Sequence, residues 1–277
     1  MNKSIYIALM LFLAFGSASA QKFNATIGIG GALGVGYDYN LLLNGTTNNS
    51  GSFTMESLPV SLGTGFNVTA RFGYSLSKYI GIELGMGQFI SLSKNAEWIS
   101  ELEGGTDYDY KLKGRMLSIV PSVLITPGLE KLNPYARVGM IVGVLPVMYL
   151  ATVETRATTT NDKTESLEKF TGRMAIGFQA SAGAEYNVSD LIAVYAEVNF
   201  NGISYTPGKS ELTVYEVDDV DQLDQLTVYE KETTFVKTLT YDYGSIPDPD
   251  KPREELRYSY PFSGIGMNFG VKFKFGK

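Results

Sequence analysis

The 277-residue chain contains no cysteine, no histidine and a single tryptophan. Without cysteine it has no disulfides, no thiolate metal ligands and no thiol nucleophile. Without histidine it lacks Ser-His and Cys-His triads, imidazole-bound zinc or haem, and the commonest general base at neutral pH. Charged residues make up only 19%, with a formal net charge of −6, so there is no basic footprint for nucleic acid. A helical membrane span is missing too. The best run, Val138 to Val153, has sixteen residues with two Gly and Pro146 inside it, whereas a spanning helix needs about twenty apolar residues. What is present is a hydrophobic content of 44%, with 30 Gly, 18 Tyr and 15 Phe, the composition of a folded chain.

The N-terminus carries a processing signal. Lys3 supplies a short positive region, Ile5 to Phe15 an apolar stretch of eleven residues, and Ala18-Ser19-Ala20 an A-x-A cleavage site before Gln21. Residues 1–20 therefore read as a secretory signal peptide and 21–277 as the exported protein. No cysteine follows the cut, which excludes a lipoprotein anchor.

Period-two alternation dominates the rest. From Val60 to Leu76 the even positions carry Val60, Leu62, Phe66, Val68, Phe72 and Tyr74, while the odd ones carry Ser61, Gly63, Gly65, Asn67, Thr69 and Arg71. Ile80 to Leu92, Met174 to Tyr186, Ile192 to Phe200 and Ile265 to Phe275 follow the same rule. So does Phe23 to Tyr37, with Gly28, Gly30, Gly34 and Gly36 on its small face. Leu117 to Ile125 and Pro134 to Met148 alternate less cleanly, being apolar on both faces. Eight strands are predicted, at 23–38, 58–76, 79–93, 111–125, 134–152, 171–187, 191–205 and 258–275. The connections alternate long, short, long, and so on, ending in the largest loop, 206–257.

This pattern predicts an all-β fold, an eight-stranded antiparallel up-and-down transmembrane β-barrel with long loops at one end. A soluble eight-stranded barrel would have to bury the large face, and its interior holds little more than a filling of side chains. Inverted, with Gly inside and Ile, Leu and Phe outside in lipid, the volumes work. Aromatics also group as girdles, with Phe23, Phe72, Tyr74, Tyr186, Phe273 and Phe275 near the turns and Tyr37, Phe66 and Phe200 near the loops.

The A-S-A-Q cut, the eight alternating strands and the final G-x-N-F-G-V-K-F-K-F resemble the small outer-membrane β-barrel proteins of the OmpA/OmpX type, without a periplasmic domain, and most of all the barrel-only family common in Bacteroidota. The resemblance covers the mature chain and rests on pattern. It implies the outer membrane of a Gram-negative bacterium, periplasmic termini, extracellular long loops, contact with outer-membrane lipid, and biogenesis through the barrel-assembly machinery. The terminal run Phe269, Val271, Phe273, Phe275 resembles the signal that machinery reads, displaced by Gly276-Lys277.

Three features bear on chemistry. The small face carries Arg71, Glu83, Arg137, Glu185, Glu197, Lys272 and Lys274, which lipid would not tolerate. They are expected to form an ion-pair cluster in the lumen. If the tight turn pairs Ser75 with Tyr79, Arg71 lies opposite Glu83. Next, Gly28-Ile29-Gly30-Gly31-Ala32-Leu33-Gly34 has Leu33 where a dinucleotide fingerprint needs glycine, and no helix follows, so no nucleotide cofactor is implied. Last, the segment from Pro207 to Arg257 holds thirteen acidic and six basic residues. Its echo, Leu212-Thr213-Val214-Tyr215-Glu216 and Leu226-Thr227-Val228-Tyr229-Glu230, predicts two strands around Asp218, Asp219, Asp221 and Asp224. These aspartates are a candidate site for a hard cation or a protein partner, though their spacing does not fit an EF-hand. No metal ligand set and no catalytic residue is assigned. The expected role is a non-enzymatic porin-like surface or scaffold barrel, or an accessory subunit of an outer-membrane complex. The alternative is a narrow passive channel or transporter for small or hydrophobic solutes.

Overall fold

The computed structural model describes residues 23–36, 42–156, 162–240, 244 and 246–275. The expected signal peptide, Tyr37 and the terminal Gly276-Lys277 lie outside the described residues. The barrel strands are β1 (Phe23–Gly34), β2 (Gly65–Ser75), β3 (Ile80–Ser91), β4 (Thr106–Ile125), β5 (Leu132–Arg156), β6 (Ala175–Asn187), β7 (Ile192–Tyr205) and β8 (Gly264–Phe275). Each pairs antiparallel with the next, and β8 pairs with β1 from Phe23↔Phe275 to Gly34↔Gly264, which closes the sheet. No helix among the described residues is long and apolar enough to cross a membrane. Closure pairs the backbone N–H and C=O groups of every wall strand on both sides, which a sheet in hydrocarbon requires.

Within the strands the alternation sorts side chains as expected, but β2 starts at Gly65 rather than 58, and Val60 and Leu62, expected on its lipid face, are buried. Ile27, Ile29, Val68, Leu84, Met86, Val138, Ile176, Val194 and Phe269 are exposed on the outer wall. Glycines on the inner face make room for lumen side chains. A Cβ on Gly28 would lie 2.0 Å from the Tyr195 hydroxyl, and one on Gly30 1.8 Å from Asn268 Oδ1.

Strand ends depart from expectation for local reasons. β6 starts at Ala175 rather than 171, because Gly172 (φ 84°) and Arg173 (φ 54°) form a left-handed turn. β8 starts at Gly264, since Tyr260–Pro261 forms a separate short pairing with Ser204 and Tyr205. β4 and β5 run longer than predicted. Their blurred alternation has a cause, a bulge that sets Leu145 and Pro146 against Met116 between the pairs Leu117↔Val144 and Arg115↔Val147. Leu145 takes φ 54° and points outward, 77% exposed. Below the bulge the odd residues Tyr135, Arg137 and Ile141 are buried; above it the even residue Met148 is.

Two of the short turns are the same device. In each, a serine hydroxyl accepts from the amides two and three residues on: Ser77 Oγ from Tyr79 and Ile80, and Ser189 Oγ from Leu191 and Ile192. The first turn places five residues between paired Ser75 and Gly81, not three. This corrects the expected register. Arg71 stands opposite Gly85, and Glu83 opposite Gly73.

At the loop end the sheet continues outward. β5 pairs with Lys163–Thr171, which pairs with Lys209–Val217. On the other side, Lys94–Ser100 pairs with β4 and also carries the hairpin of Leu43–Thr47 and Phe53–Ser57. The first L-T-V-Y-E segment is a strand as predicted, but the second is not. Thr227 caps a helical turn, Val228–Lys231, through a reciprocal capping box with Glu230. The T-x-x-E spacing favours that cap over extension.

Heating should convert the folded barrel to a slower gel species. Mature protein in detergent is expected to migrate faster unheated than boiled, with β-rich circular dichroism before boiling. Recovery as a soluble monomer without detergent would contradict the membrane wall.

Candidate functional site

The parity that puts apolar residues in lipid aims the charged set into the lumen. Its hub is Glu197 on β7, 2% exposed. Arg71 Nη2 of β2 lies 2.5 Å from Glu197 Oε1. Arg137 Nη1 of β5 and the Tyr135 hydroxyl, at 2.8 Å, both donate to Oε2. Asn268 Nδ2 of β8 donates to Oε1 at 3.0 Å. Arg137 Nε also reaches Glu83 Oε2 of β3 at 2.6 Å. Arg71 Nη1 donates to the Tyr195 hydroxyl at 3.3 Å. One carboxylate thus ties together β2, β5, β7 and β8, and through Arg137 also β3. Arg71 and Glu83 belong to one network but do not touch as a pair; Arg71 reaches across the lumen instead.

A second group sits at the turn end. Lys272 Nζ is 2.8 Å and Lys274 Nζ 3.9 Å from the Glu185 carboxylate, which also accepts from Asn133 Nδ2 at 3.3 Å. Tyr135, Tyr195, Asn133 and Asn268 were not singled out in the sequence. The signal was available, since Tyr135 shares the parity of Arg137 and Tyr195 that of Glu197.

The loop end of the lumen is filled by different chemistry. Val60, Leu62, Leu112, Met116, Met148 and Phe262 belong to one buried apolar cluster. Leu62 and Phe262 come from connecting segments, not strands. They are pinned over the mouth by Leu62 N to Pro261 O (2.8 Å) and Phe262 N to Ile203 O (2.9 Å). Gly114 admits the Phe262 ring, which a Cβ there would meet at 2.7 Å. Between the ionic hub and this cap lies a cavity of about 60 Å³, bounded by Arg71, Ser118, Gln179, Asn201, Met116 and Phe262.

The acidic stretch is outside the lumen. Asp218 and Asp219, at φ 51° and 61°, make the two-residue turn between paired Val217 and Val220. Asp218 Oδ1 accepts from Lys163 N and Asp221 Oδ1 from Leu223 N. Asp218, Asp219, Asp221 and Asp224 are all exposed. Among the described residues no three acidic side chains gather in a metal-holding arrangement. In the same outer region burial raises the Glu168 carboxyl above its ordinary range. Burial, with the Glu168 charge next, pushes the Tyr260 hydroxyl up to about 12.

A closed eight-stranded sheet with an apolar outer wall and a polar, cross-braced interior defines a transmembrane β-barrel. The chain belongs to the family described as outer membrane protein beta-barrel domain, whose family model matches residues 7–229, and it is a protein of the outer membrane, its wall in lipid. Solved structures that align with the chain include Neisserial surface protein A, at 11% identity and TM-score 0.36, covering 93% of this chain and 100% of that one. Another is Ail, the attachment invasion locus protein of Yersinia pestis, at 10% identity and TM-score 0.30, covering 93% and 100%. The outer membrane protease OmpT from Escherichia coli aligns at 10% identity and TM-score 0.30, over 94% and 99%. A search of curated proteins found no match to this chain.

Removing the hub should be costly. Glu197→Ala leaves two buried guanidinium groups without their shared partner, and is expected to destabilise the barrel by about 3–5 kcal/mol. Glu165→Ala, which removes the exposed pair with Lys163, should leave the unfolding midpoint close to wild type. Urea unfolding in lipid vesicles compares them; equal midpoints would remove the hub from the account.

Proposed function

We propose that the protein is a non-enzymatic, sealed outer-membrane barrel that presents its loop-end sheet outside the cell as a surface or scaffold element, or as an accessory subunit of an outer-membrane complex. The observation that carries this reading is the filling of the lumen, with the Glu197 network buried across it and Leu62 and Phe262 buried toward its loop end. Each lumen carboxylate is engaged by a guanidinium or ammonium group, which suits bracing better than acid–base work. In this reading residues 1–20 are removed on export, the barrel-assembly machinery inserts the chain, both termini are periplasmic, and the loop 206–257 is the surface offered to a protein partner. Its Asp218 to Asp224 stretch is the most exposed candidate contact.

Planar-bilayer recording tests the seal. Wild-type protein should give little or no conductance, and the double variant Glu197→Ala with Phe262→Ala should give measurable openings. Large stable channels in wild type, unchanged in Arg71→Ala and Glu83→Ala, would favour the second reading, a narrow passive channel.

Topology is tested separately by adding protease to intact cells. Cleavage should begin within 206–257, where Ile246 is 93% exposed. Cutting there only after the outer membrane is opened would reverse the orientation.

A further inference from the structure

The outward face of β4 changes character at one step. From the turn end it reads Ile125, Val123, Pro121, Ile119 and Leu117, and then Arg115, Lys113 and Lys111. The three cations are exposed, and none has a carboxylate within 4 Å among the described residues. Side chains two residues apart on one strand face are about 7 Å apart. The five apolar residues span about 26 Å of strand, which a tilt near 40° reduces to roughly the height of a membrane barrel's apolar band. The cations therefore begin where the hydrocarbon ends.

The neighbouring strands widen the patch. Lys113 stands opposite Tyr149 of β5, with its ammonium 5.8 Å from the ring centroid, and Tyr149 stands opposite Lys169. The Leu145 bulge is what turns Tyr149 outward. Below the bulge odd residues of β5 face the lumen; above it they face out. Acidic residues border the patch: Asp109 follows further out on the same face of β4, Glu211 stands opposite Lys169 and Glu232 opposite Glu211, none of them within 4 Å of the patch's cations.

We propose that Lys111, Lys113, Arg115 and Lys169, with Tyr149, form a binding site for the phosphate-bearing headgroup of a lipid in the loop-side leaflet. A phosphate delivered by a lipid arrives at this height with its acyl chains against Leu117, Ile119 and Pro121. A free anion gains no such anchorage, because the patch is an open face and not a pocket. Cations near a membrane surface are attracted to anionic headgroups individually and add up along a row. The site rests on the transmembrane reading and on the loop end facing outward.

The test uses the folded mature protein in detergent, with diphosphoryl lipid A, its dephosphorylated form and inorganic phosphate as separate probes, and native mass spectrometry as readout. Wild type should retain diphosphoryl lipid A and release it as salt rises. The triple variant Lys111→Gln/Lys113→Gln/Arg115→Gln should lose roughly a hundredfold in affinity, while Lys251→Gln, far out on the loop, should not. Each variant is first checked for heat-modifiable migration, and Lys113→Gln alone replaces the triple variant if that one does not fold. Equal retention of the dephosphorylated lipid, equal competition by inorganic phosphate, or unchanged binding in the folded variant would overturn the site. Loss of heat-modifiability in wild type would instead overturn the barrel reading beneath it.

Discussion

Everything in this molecule follows from the need to pair each backbone N–H and C=O inside hydrocarbon. A sheet meets that need only by closing, and with eight strands the interior is barely wide enough for side chains. The inner face must then be built from small residues wherever a long side chain crosses. Gly28 yields to Tyr195, Gly30 to Asn268 and Gly114 to Phe262. The outer face must be apolar across the hydrocarbon, so charged side chains at that depth can go only inward, and once inward in so narrow a space they must meet.

The Glu197 hub is better understood as a device for register than as a source of net stability. Buried ion pairs often contribute little against an apolar replacement, yet breaking one leaves a stranded charge. A one-residue slip of β2 or β7 would carry Arg71 or Glu197 from the lumen into lipid. The correct pairing is thereby separated from its nearest competitors by the cost of a charge in hydrocarbon. Because the hub joins strands that are not neighbours in the sheet, it also ties the closure of the barrel to the placement of individual side chains.

The alternation made the barrel and its inward charges legible, because a period of two has few other meanings at this length. Which charges would meet was not legible. Arg71 and Glu197 lie on strands separated by β1 and β8, and strand pairing alone says nothing about contacts across a lumen. The register between β2 and β3 depended on a serine-centred turn two residues longer than the tightest alternative. The apolar cap was misread: Val60 and Leu62 alternate with Ser61 and Gly63 as if on the lipid face of a strand, and Phe262 falls in the expected last strand, but β2 begins only at Gly65 and β8 at Gly264, and all three side chains are buried. At Leu145-Pro146 the bulge inverts parity, so a single pattern drawn through β5 averages two opposite ones. The second L-T-V-Y-E copy matched the first in composition, but its Thr227 and Glu230 found each other as a helix cap.

The central claim is that the lumen is closed at both ends, ionic toward the turns and apolar toward the loops. A chain with no native cysteine allows it to be tested at single sites. Ser118→Cys places a thiol against the internal cavity, and Gln225→Cys places one on the exposed loop. With the barrel folded in vesicles, a small charged thiol reagent should label Cys at 225 rapidly and leave Cys at 118 unlabelled from either side until the protein is unfolded. Labelling at 118 as fast as at 225 in the folded barrel would contradict the sealed lumen.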